Sequence, residues 1–311
     1  MRLRRAVLAC PGSNPKMMQR AAASGADEVF LDLEDAVAPS EKVAARREVV
    51  EALRRHDFGR TLRCVRVNQI GSALVLGDIE AVVRGAGDRL DTLMLPKVQD
   101  AGDIAFADRL LAGLEAEIGL DRRIGLEAQI EDARGLVNVD AIAAHDRVET
   151  VIFGPGDFAA SMGLPQLTVG EESPDYPGDL WHYPLFRIVV AARACGKQAI
   201  DGPFAAIRDL EGLRRSAARA AALGYDGKWA LHPSQLEPVT RAFTPRPADV
   251  ERAQAILAAY RAAAEEDHRG AVMLGDEMID EASRKMAAQL VARAGAAGLD
   301  GLLSAPDPAV L

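Results

Sequence analysis

Eight short β-rich runs alternate with longer helix-patterned segments through most of this chain. In order they are RAVLACPG, EVFLDLED, LRCVRVNQ, DTLMLPKV, IGLEAQIE, ETVIFGPGD, KQAIDGPF and GKWALHPSQ. Parallel strands need long crossover connections, usually helices, and eight such units make up a (β/α)₈ barrel. We therefore predict an α/β protein with a TIM-barrel fold. A doubly wound open sheet is the alternative, although no GxGxxG motif opens a helix after the first strand.

The chain continues beyond the eighth run. The segment ADVERAQAILAAYRAA is predicted to be the helix that closes the barrel, EEDHRG a polar hinge, and DEASRKMAAQLVARAGAAG a further helix. The last helix is additional to the eight units of a barrel. This order predicts a barrel domain over residues 1–264 and a C-terminal extension over 265–311, which serves as a lid or as an arm that contacts another subunit.

The composition argues against several classes of partner. The formal net charge is -9, whereas nucleic acids and anionic membrane surfaces are bound first through basic patches. No apolar run approaches the roughly 20 residues of a membrane span, and the apolar part of MRLRRAVLACPGS is shorter than the about seven residues of a secretion signal. We predict a cytoplasmic protein that binds no nucleic acid and no membrane. Its cysteines have neither disulfide nor zinc spacing, which indicates buried free thiols.

Polar residues cluster where the predicted strands end. They are Glu34, Asp35, Arg66, Asn68, Lys97, Glu131, Asp157, Asp201 and His232. In a (β/α)₈ barrel the carboxyl ends of all strands meet at one mouth, where the active site lies, so the pattern predicts one shared pocket. Glu127 and Glu131 alternate along one run and share a face. The deeper Glu127 is expected to pair with a buried arginine or lysine.

Two of these carboxylates indicate a metal site. Glu131 and Asp157 come from neighbouring strands, and a pair of hard oxygen ligands that leaves room for water and substrate is typical of Mg²⁺ sites. The alternative for Asp157 is an N-cap of the helix that follows the tight GPGD turn. Arg66 offers a permanent cation to a carboxylate or an enolate oxygen. Its alternative role is a salt bridge to Glu34 or Asp35, and both roles are compatible.

Taken together, the motifs of the chain resemble one family. They are PGS, FLDLEDAV, VRVN, LPKV, QIEDARGLVN, GPGDFAASMG, DGPF, GKWALHP and GDEMIDEASRKMA. This series resembles the citrate lyase β-subunit-like, or HpcH/HpaI aldolase, superfamily, and within it the malyl-CoA and β-methylmalyl-CoA lyases. The resemblance implies a (β/α)₈ barrel with Mg²⁺, or Mn²⁺ as an alternative, held by Glu131 and Asp157. It also implies a homotrimer or hexamer.

The resemblance implies an activity and catalytic residues as well. The activity is reversible carbon–carbon cleavage of a 3-hydroxyacyl-CoA to acetyl-CoA or propionyl-CoA and a 2-oxo acid. Arg66 would neutralise charge on the reacting oxygens, while Glu34 and Asp35 would orient Arg66 and metal-bound water. Asp280 in the tail would be the acid/base that the lid delivers to the neighbouring subunit.

Binding of the thioester involves a further set of expected residues. Those expected to contact substrate or cofactor are Arg66, Gly156, Asp157, Lys16, Arg20 and Lys97. Lys97 is interpreted either as a carboxylate partner or as a CoA contact. Many relatives carry a basic residue after PGS, where this chain has Asn14. The phosphates of CoA would therefore be bound differently, or CoA would not be the carrier of the acyl group. The loop LPQLTVGEESPDYPGDLWHY is also shorter and more acidic than is typical, which indicates a changed acyl pocket.

Three functions fit this chain. The first is the Mg²⁺-dependent acyl-CoA lyase, acting on malyl-CoA, β-methylmalyl-CoA or citramalyl-CoA. The second is a malyl-CoA thioesterase, which needs the same groups with water entering. The third is a citrate lyase β-type subunit that works on a carrier-bound acyl group. His232 and Trp229 either pack at the end of the eighth strand or act directly.

Overall fold

A closed barrel of eight parallel strands forms the centre of the structure. The computed structural model describes residues 2–165, 167–170, 178–266 and 270–299. The strands are β1 (Ala6–Pro11), β2 (Glu28–Asp32), β3 (Leu62–Arg66), β4 (Thr92–Leu95), β5 (Gly125–Ile130), β6 (Val148–Phe153), β7 (Gln198–Asp201) and β8 (Gly227–Ala230). Seven of them lie within the predicted runs, β6 begins one residue before its run, and β8 pairs with β1. The prediction of a (β/α)₈ barrel is confirmed, and the alternative prediction of a doubly wound open sheet is wrong.

Helices connect the successive strands. They are α1 (Pro15–Ala22), α2 (Lys42–Arg55), α3 (Val75–Ala86), α4 (Ala101–Glu117), α5 (Ala133–Val137), α6 (Val139–Ala143), α7 (Pro155–Ser161), α8 (His182–Ala194), α9 (Leu210–Leu223) and α10 (Leu236–Ala242). Short 3₁₀ turns lie at Gly87–Arg89 and Pro233–Gln235. Among the residues that the structure describes, no helix combines the length and apolar character that a membrane crossing requires.

Apolar side chains fill the middle of the barrel. The interior cluster is Val7, Ala9, Phe30, Cys64, Met94, Ile152, Ile200 and Trp229. Glu28 and Asp32 flank Phe30 on the same face of β2, because side chains alternate along a strand. The apolar cluster therefore lies between a polar base and a polar mouth. Cys10 and Cys64 are buried and Cys195 is half-buried, and all three are free thiols as predicted.

Arg4 organises the base of the barrel. Its guanidinium lies 2.7 Å from Glu28 Oε2, 2.7 Å from Glu149 Oε2 and 3.4 Å from Glu127 Oε1. Burial raises the pKa of Glu28 well above its usual value, and the charge of Glu127 adds to this effect. The prediction that Glu127 pairs with a buried arginine is confirmed.

The chain divides into two compact units after Phe243. Arg4–Phe243 form the barrel unit, and the second unit contains the described residues from Thr244 onward together with Arg2 and Leu3. Its elements are α11 (Pro247–Glu266), the antiparallel hairpin of β9 (Val272–Leu274) and β10 (Glu277–Ile279), and α12 (Glu281–Ala296).

The division differs from the boundary predicted after residue 264. The helix that we expected to close the barrel is α11, and it packs against α12 and β9. It therefore groups with the C-terminal extension. Half of the predicted hinge, residues 267–269, lies outside the described residues, as do residues 166 and 171–177 of the acidic loop.

Candidate active site

Arg66 and Asp32 form a buried fork at the mouth of the barrel. They pair across β2 and β3, and the guanidinium donates to both oxygens of Asp32, at 2.8 and 2.7 Å. The backbone N–H groups of Glu34 and Ala36 donate to the same carboxylate. Burial raises the pKa of Asp32, but Arg66 and these hydrogen bonds outweigh burial, so the pKa is lowered. Asp32 is therefore ionised, and it holds Arg66 in one orientation.

Aromatic rings and a second carboxylate complete the surroundings of Arg66. Its guanidinium carbon lies 5.5 Å from the ring centroids of both Phe30 and Trp229, a distance at which cations attract aromatic faces. Its Nη1 lies 3.2 Å from Glu34 Oε2. The predicted bridge to Glu34 is present, whereas Asp35 contacts Lys97 instead. Trp229 packs beneath the mouth, in agreement with the structural alternative for this residue.

Lys97 links several carboxylates of the mouth. Its φ of 53° is left-handed, a conformation that costs residues other than glycine about 1–2 kcal/mol. In this conformation its backbone N–H donates to Glu131 Oε1 at 2.8 Å. Its ammonium lies 2.5 Å from Glu34 Oε1 and 3.4 Å from Asp35 Oδ2. Partial burial lowers the pKa of this ammonium, but the hydrogen bond and charge of Glu34 outweigh burial, so the pKa is raised.

Glu131 follows β5 and is buried. Its Oε2 accepts a hydrogen bond from Gln129 Nε2 at 2.9 Å. A Cβ atom at Gly154 would lie 2.5 Å from the same Oε2, so glycine at the end of β6 makes room for the carboxylate. Burial raises the pKa of Glu131 well above its usual value; Arg66 opposes the shift and Asp157 adds to it.

Asp157 is the more accessible carboxylate, with a side chain that is 44% exposed. It lies in the first turn of α7, and its Oδ2 is 3.6 Å from the Lys97 ammonium. The N-cap of α7 is Gly154, so the interpretation of Asp157 as an N-cap is wrong. The tight turn makes Asp157 the third residue of the helix.

Carboxylates outnumber cations at this mouth. The acidic groups around Arg66 and Lys97 are Asp32, Glu34, Asp35, Glu131 and Asp157. Because Asp32 already neutralises Arg66, negative charge is left in excess near Glu131 and Asp157, which come from the adjacent β5 and β6. Buried carboxylates are costly without a counter-ion, and Mg²⁺ takes one or two carboxylates together with waters. The residues present therefore fit a Mg²⁺ ion.

Another possible ligand group lies at the base of the barrel. Glu28, Cys64 and Glu127 have ligand atoms close enough to share an ion. However, Arg4 already contacts both carboxylates. Burial also raises the pKa of the Cys64 thiol well above its usual value, so the thiolate that a metal would need is disfavoured. We interpret this group as a buried ion-pair cluster.

Comparison with protein families identifies the fold's relatives. Residues 5–233 match the model of the HpcH/HpaI aldolase/citrate lyase family. The chain belongs to the HpcH/HpaI aldolase/citrate lyase family. The resemblance drawn from the motifs is thereby confirmed.

Members of the HpcH/HpaI family match over most of the chain. An L-malyl-CoA/β-methylmalyl-CoA lyase of Rhodobacter capsulatus is 38% identical over 303 residues, which are 94% of this chain and 95% of the relative. A (3S)-malyl-CoA thioesterase of Cereibacter sphaeroides is 34% identical over 292 residues, with the same two coverages. CitE from Mycobacterium tuberculosis, crystallised with magnesium, acetoacetate and coenzyme A, is 32% identical with a TM-score of 0.74, covering 93% of this chain and 97% of that one.

In this HpcH/HpaI family member, most of the predicted site residues lie together at the mouth. They are Glu34, Asp35, Arg66, Lys97, Glu131 and Asp157. Gly156 precedes Asp157 in α7 and is half-buried, while Lys16 and Arg20 are exposed on α1. Asp280 is the N-cap of α12 in the second unit, where it accepts a hydrogen bond from the Ser283 backbone N–H at 3.0 Å.

Three residues from the predicted shared pocket have other roles. Asp201 follows the inward-facing Ile200, so it points away from the barrel interior, and it accepts a hydrogen bond from Lys228 Nζ at 2.5 Å. His232 is exposed and caps the 3₁₀ turn through Ser234. Asn68 bonds to Asp78, to Lys42 and to the backbone of Leu33. These side chains stabilise the loops around the mouth.

Sequence reasoning missed the main partner of Arg66. We considered only Glu34 and Asp35, yet Asp32 forms the fork. A signal was available, because Asp32 lies two residues after Phe30 and therefore faces the barrel interior, where Arg66 ends the neighbouring strand.

Proposed function

We propose that this protein is a Mg²⁺-dependent carbon–carbon lyase. It cleaves a 3-hydroxyacyl-CoA reversibly to acetyl-CoA or propionyl-CoA and a 2-oxo acid such as glyoxylate or pyruvate. The observation that carries the proposal is the charge arrangement at the mouth, where carboxylates outnumber cations and the fixed guanidinium of Arg66 acts on the carboxyl group of Glu131, which Asp157 neighbours. The name of the R. capsulatus relative, which matches over nearly the full length, supports malyl-CoA and β-methylmalyl-CoA as substrates. Citramalyl-CoA is the third candidate.

Glu131 and Asp157 would hold the metal. When bound, Mg²⁺ supplies a template and a Lewis acid for the hydroxyl and carboxylate oxygens of the malyl unit. Mn²⁺ accepts similar ligands and is the alternative. The CitE structure, crystallised with magnesium and coenzyme A, supports both the metal and the thioester class.

Arg66 would stabilise the negative charge that cleavage leaves on the substrate oxygens. Donors that are held in place before the reaction lower its barrier most, because no reorganisation is needed during the step. Asp32 fixes the guanidinium by accepting two hydrogen bonds from it, and Glu34 contacts the remaining nitrogen, Nη1. Glu34 and Asp35 would also orient metal-bound water. The thioester itself would extend toward Gly156 and Lys97, with Lys16 and Arg20 available for its phosphates.

Asp280 would be the base that takes the proton of the substrate hydroxyl. Hydrogen bonds from Ser283 lower the pKa of this carboxyl group, which keeps it in the ionised form that a base requires. We propose that in a homotrimer or hexamer the extension beyond Phe243 acts as a lid. It would present Asp280 to the mouth of a neighbouring subunit.

Hydrolysis of malyl-CoA to malate and CoA is the second candidate function. The specific observation that favours it is the similarity to the C. sphaeroides thioesterase, which spans the same share of this chain as the lyase match. Both reactions use the same charged groups, and they differ in whether water attacks the thioester. A citrate lyase β-type activity on a carrier-bound acyl group is the remaining alternative.

Mass spectrometry of the products distinguishes these functions. Purified protein is incubated with malyl-CoA, β-methylmalyl-CoA and citramalyl-CoA, with Mg²⁺ or with a chelator. We expect acetyl-CoA or propionyl-CoA together with glyoxylate or pyruvate, and only when Mg²⁺ is present. Free CoA with the intact hydroxy-diacid would make the protein a thioesterase. No turnover of any of the three would contradict the proposal and favour a carrier-protein substrate.

A further inference from the structure

Arg66 and Lys97 both place a cation at the mouth of the barrel, and the two side chains differ in how tightly they are held. Arg66 is buried, forked onto Asp32 and flanked by two aromatic rings. The Lys97 side chain is 22% exposed, and its ammonium contacts carboxylates on both sides of the mouth. A lysine presents a compact charge on a flexible stem, whereas arginine is a rigid fork. Lys97 is therefore the cation that can move.

The backbone at Lys97 is unfavourable for a lysine. Within the described ranges, Lys97 is the one residue with a positive φ that is not a glycine. Glycine or asparagine adopts this conformation more readily, and either would keep the backbone N–H that Glu131 Oε1 accepts. The bond from the backbone N–H to Glu131 therefore does not explain why this residue is a lysine. This indicates a role for the Lys97 ammonium.

The Lys97 ammonium lies among three carboxylates of the mouth. It is 2.5 Å from Glu34, 3.4 Å from Asp35 and 3.6 Å from Asp157. Asp157 is one of the two carboxylates that fit the metal. A lysine and a divalent cation would therefore compete for the same carboxylate.

We propose that Lys97 is a positioning residue that substitutes for the metal in the metal-free protein and withdraws from Asp157 when Mg²⁺ binds. The inference rests on the proposed function, because it takes Glu131 and Asp157 as the metal ligands. In the metal-free state the ammonium reduces repulsion among the carboxylates. On metal binding it retains Glu34 and Asp35, and Asp157 is released to the ion.

This role predicts effects of opposite sign on two properties. Removing the ammonium should destabilise the metal-free protein, because the carboxylates then repel each other. It should also tighten Mg²⁺ binding, because the competing charge is gone. A lysine that served only to brace the loop would give lower stability and equal or weaker metal binding.

Calorimetry of Mg²⁺ binding tests the inference with the variant Lys97→Asn. Asparagine tolerates positive φ and keeps the N–H to Glu131. We expect Lys97→Asn to bind Mg²⁺ of the order of tenfold more tightly than wild type, with a larger rise of the thermal midpoint on adding Mg²⁺. The matched control is Lys197→Asn, which removes a half-buried lysine whose bond is to a backbone carbonyl, and it should match wild type.

Several outcomes would overturn the inference. Unchanged or weaker Mg²⁺ binding by Lys97→Asn, with normal binding by wild type, would contradict the role of Lys97 and leave the proposed function intact. Absence of Mg²⁺ binding by wild type would contradict the proposed metal site itself. Crystal structures of wild type with and without Mg²⁺ give a measurement that does not depend on the variant. The ammonium should move beyond about 4 Å from Asp157, the limit of an ion pair, and retention of the 3.6 Å contact with metal bound would refute the displacement.

Discussion

Glu34 and Glu131 show how single residues at the mouth are kept at a cost. Burial raises the pKa of both carboxyl groups, although Arg66 lies close to each and opposes the shift. A fold under selection for stability alone would not bury several carboxylates this close together. Such electrostatic cost is common where a site must bind a charged ligand. The same excess of negative charge that destabilises the free protein would then contribute to metal binding.

Arg66 provides a test at the level of one residue. Arg66→Lys keeps the charge but loses the fork to Asp32, since lysine is a single-point donor on a flexible stem. We expect a loss of kcat/KM of about 10²-fold or more, as for other preorganised donors, measured by steady-state cleavage of the best thioester. Arg63→Lys is the matched control on the same strand, because Arg63 pairs with Asp91, and it should remain near wild type. Wild-type turnover by Arg66→Lys would remove the guanidinium from the mechanism.

The elements of the barrel were predictable because their patterns are local. Buried parallel strands appear as near-continuous apolar runs, and each run here holds one strand. It was less predictable which face of the sheet the last side chain of a strand points to. A change of one residue in the position along the strand reverses the face. Asp201 illustrates this, since it follows β7's inward-facing Ile200 and pairs with Lys228. The positive φ of Lys97 was not predictable either, because no local signal such as glycine marks it.

The polar base of the barrel gives a prediction for stability against pH. Because the pKa of Glu28 is raised in the folded state, the folded protein binds this proton more tightly than the unfolded chain. That stabilisation is fully present below the unfolded-state pKa of about 4.3 and is lost as pH rises toward the folded-state pKa. Glu28→Gln removes the titration, and its amide can still accept from Arg4 and donate to Glu127.

Urea unfolding at several pH values checks this prediction. Between about pH 5 and pH 8 the free energy of unfolding should fall less in Glu28→Gln than in wild type, since the variant loses no proton. Glu51→Gln, on the exposed side of α2, is the control and should follow the wild-type slope. Equal slopes for Glu28→Gln and wild type would show that Glu28 is ionised throughout.

At the scale of the whole molecule, the chain combines a barrel unit with a C-terminal unit. Their boundary after Phe243 was not predictable from helix patterning, because α11 has the same pattern whether it packs on a barrel or on α12. Such a choice depends on tertiary contacts that a local pattern does not contain. The proposed lid function of the second unit depends on Asp280, which begins α12 as its N-cap.

Asp280→Asn tests whether the extension acts on a neighbouring subunit. Asparagine is also a good N-cap, so folding should be retained while turnover falls by about 10² to 10⁴, the range for a lost general base. Asp276→Asn in the exposed hairpin turn is the control. Mixed oligomers of Asp280→Asn and Glu131→Gln subunits should regain activity, since some sites then combine an intact mouth with an intact lid. Failure of mixing to restore any activity would contradict delivery between subunits.

The most direct test of the central claim is Mg²⁺ calorimetry of wild type and Glu131→Gln, with Glu117→Gln as a control. Glu117 is an exposed glutamate paired with Arg84, away from the mouth. If Glu131 and Asp157 hold the metal, wild type and Glu117→Gln should bind Mg²⁺ equally, and Glu131→Gln should bind at least about tenfold more weakly, a loss of about 1.4 kcal/mol. Equal Mg²⁺ affinity for Glu131→Gln and wild type would contradict the metal site at the barrel mouth.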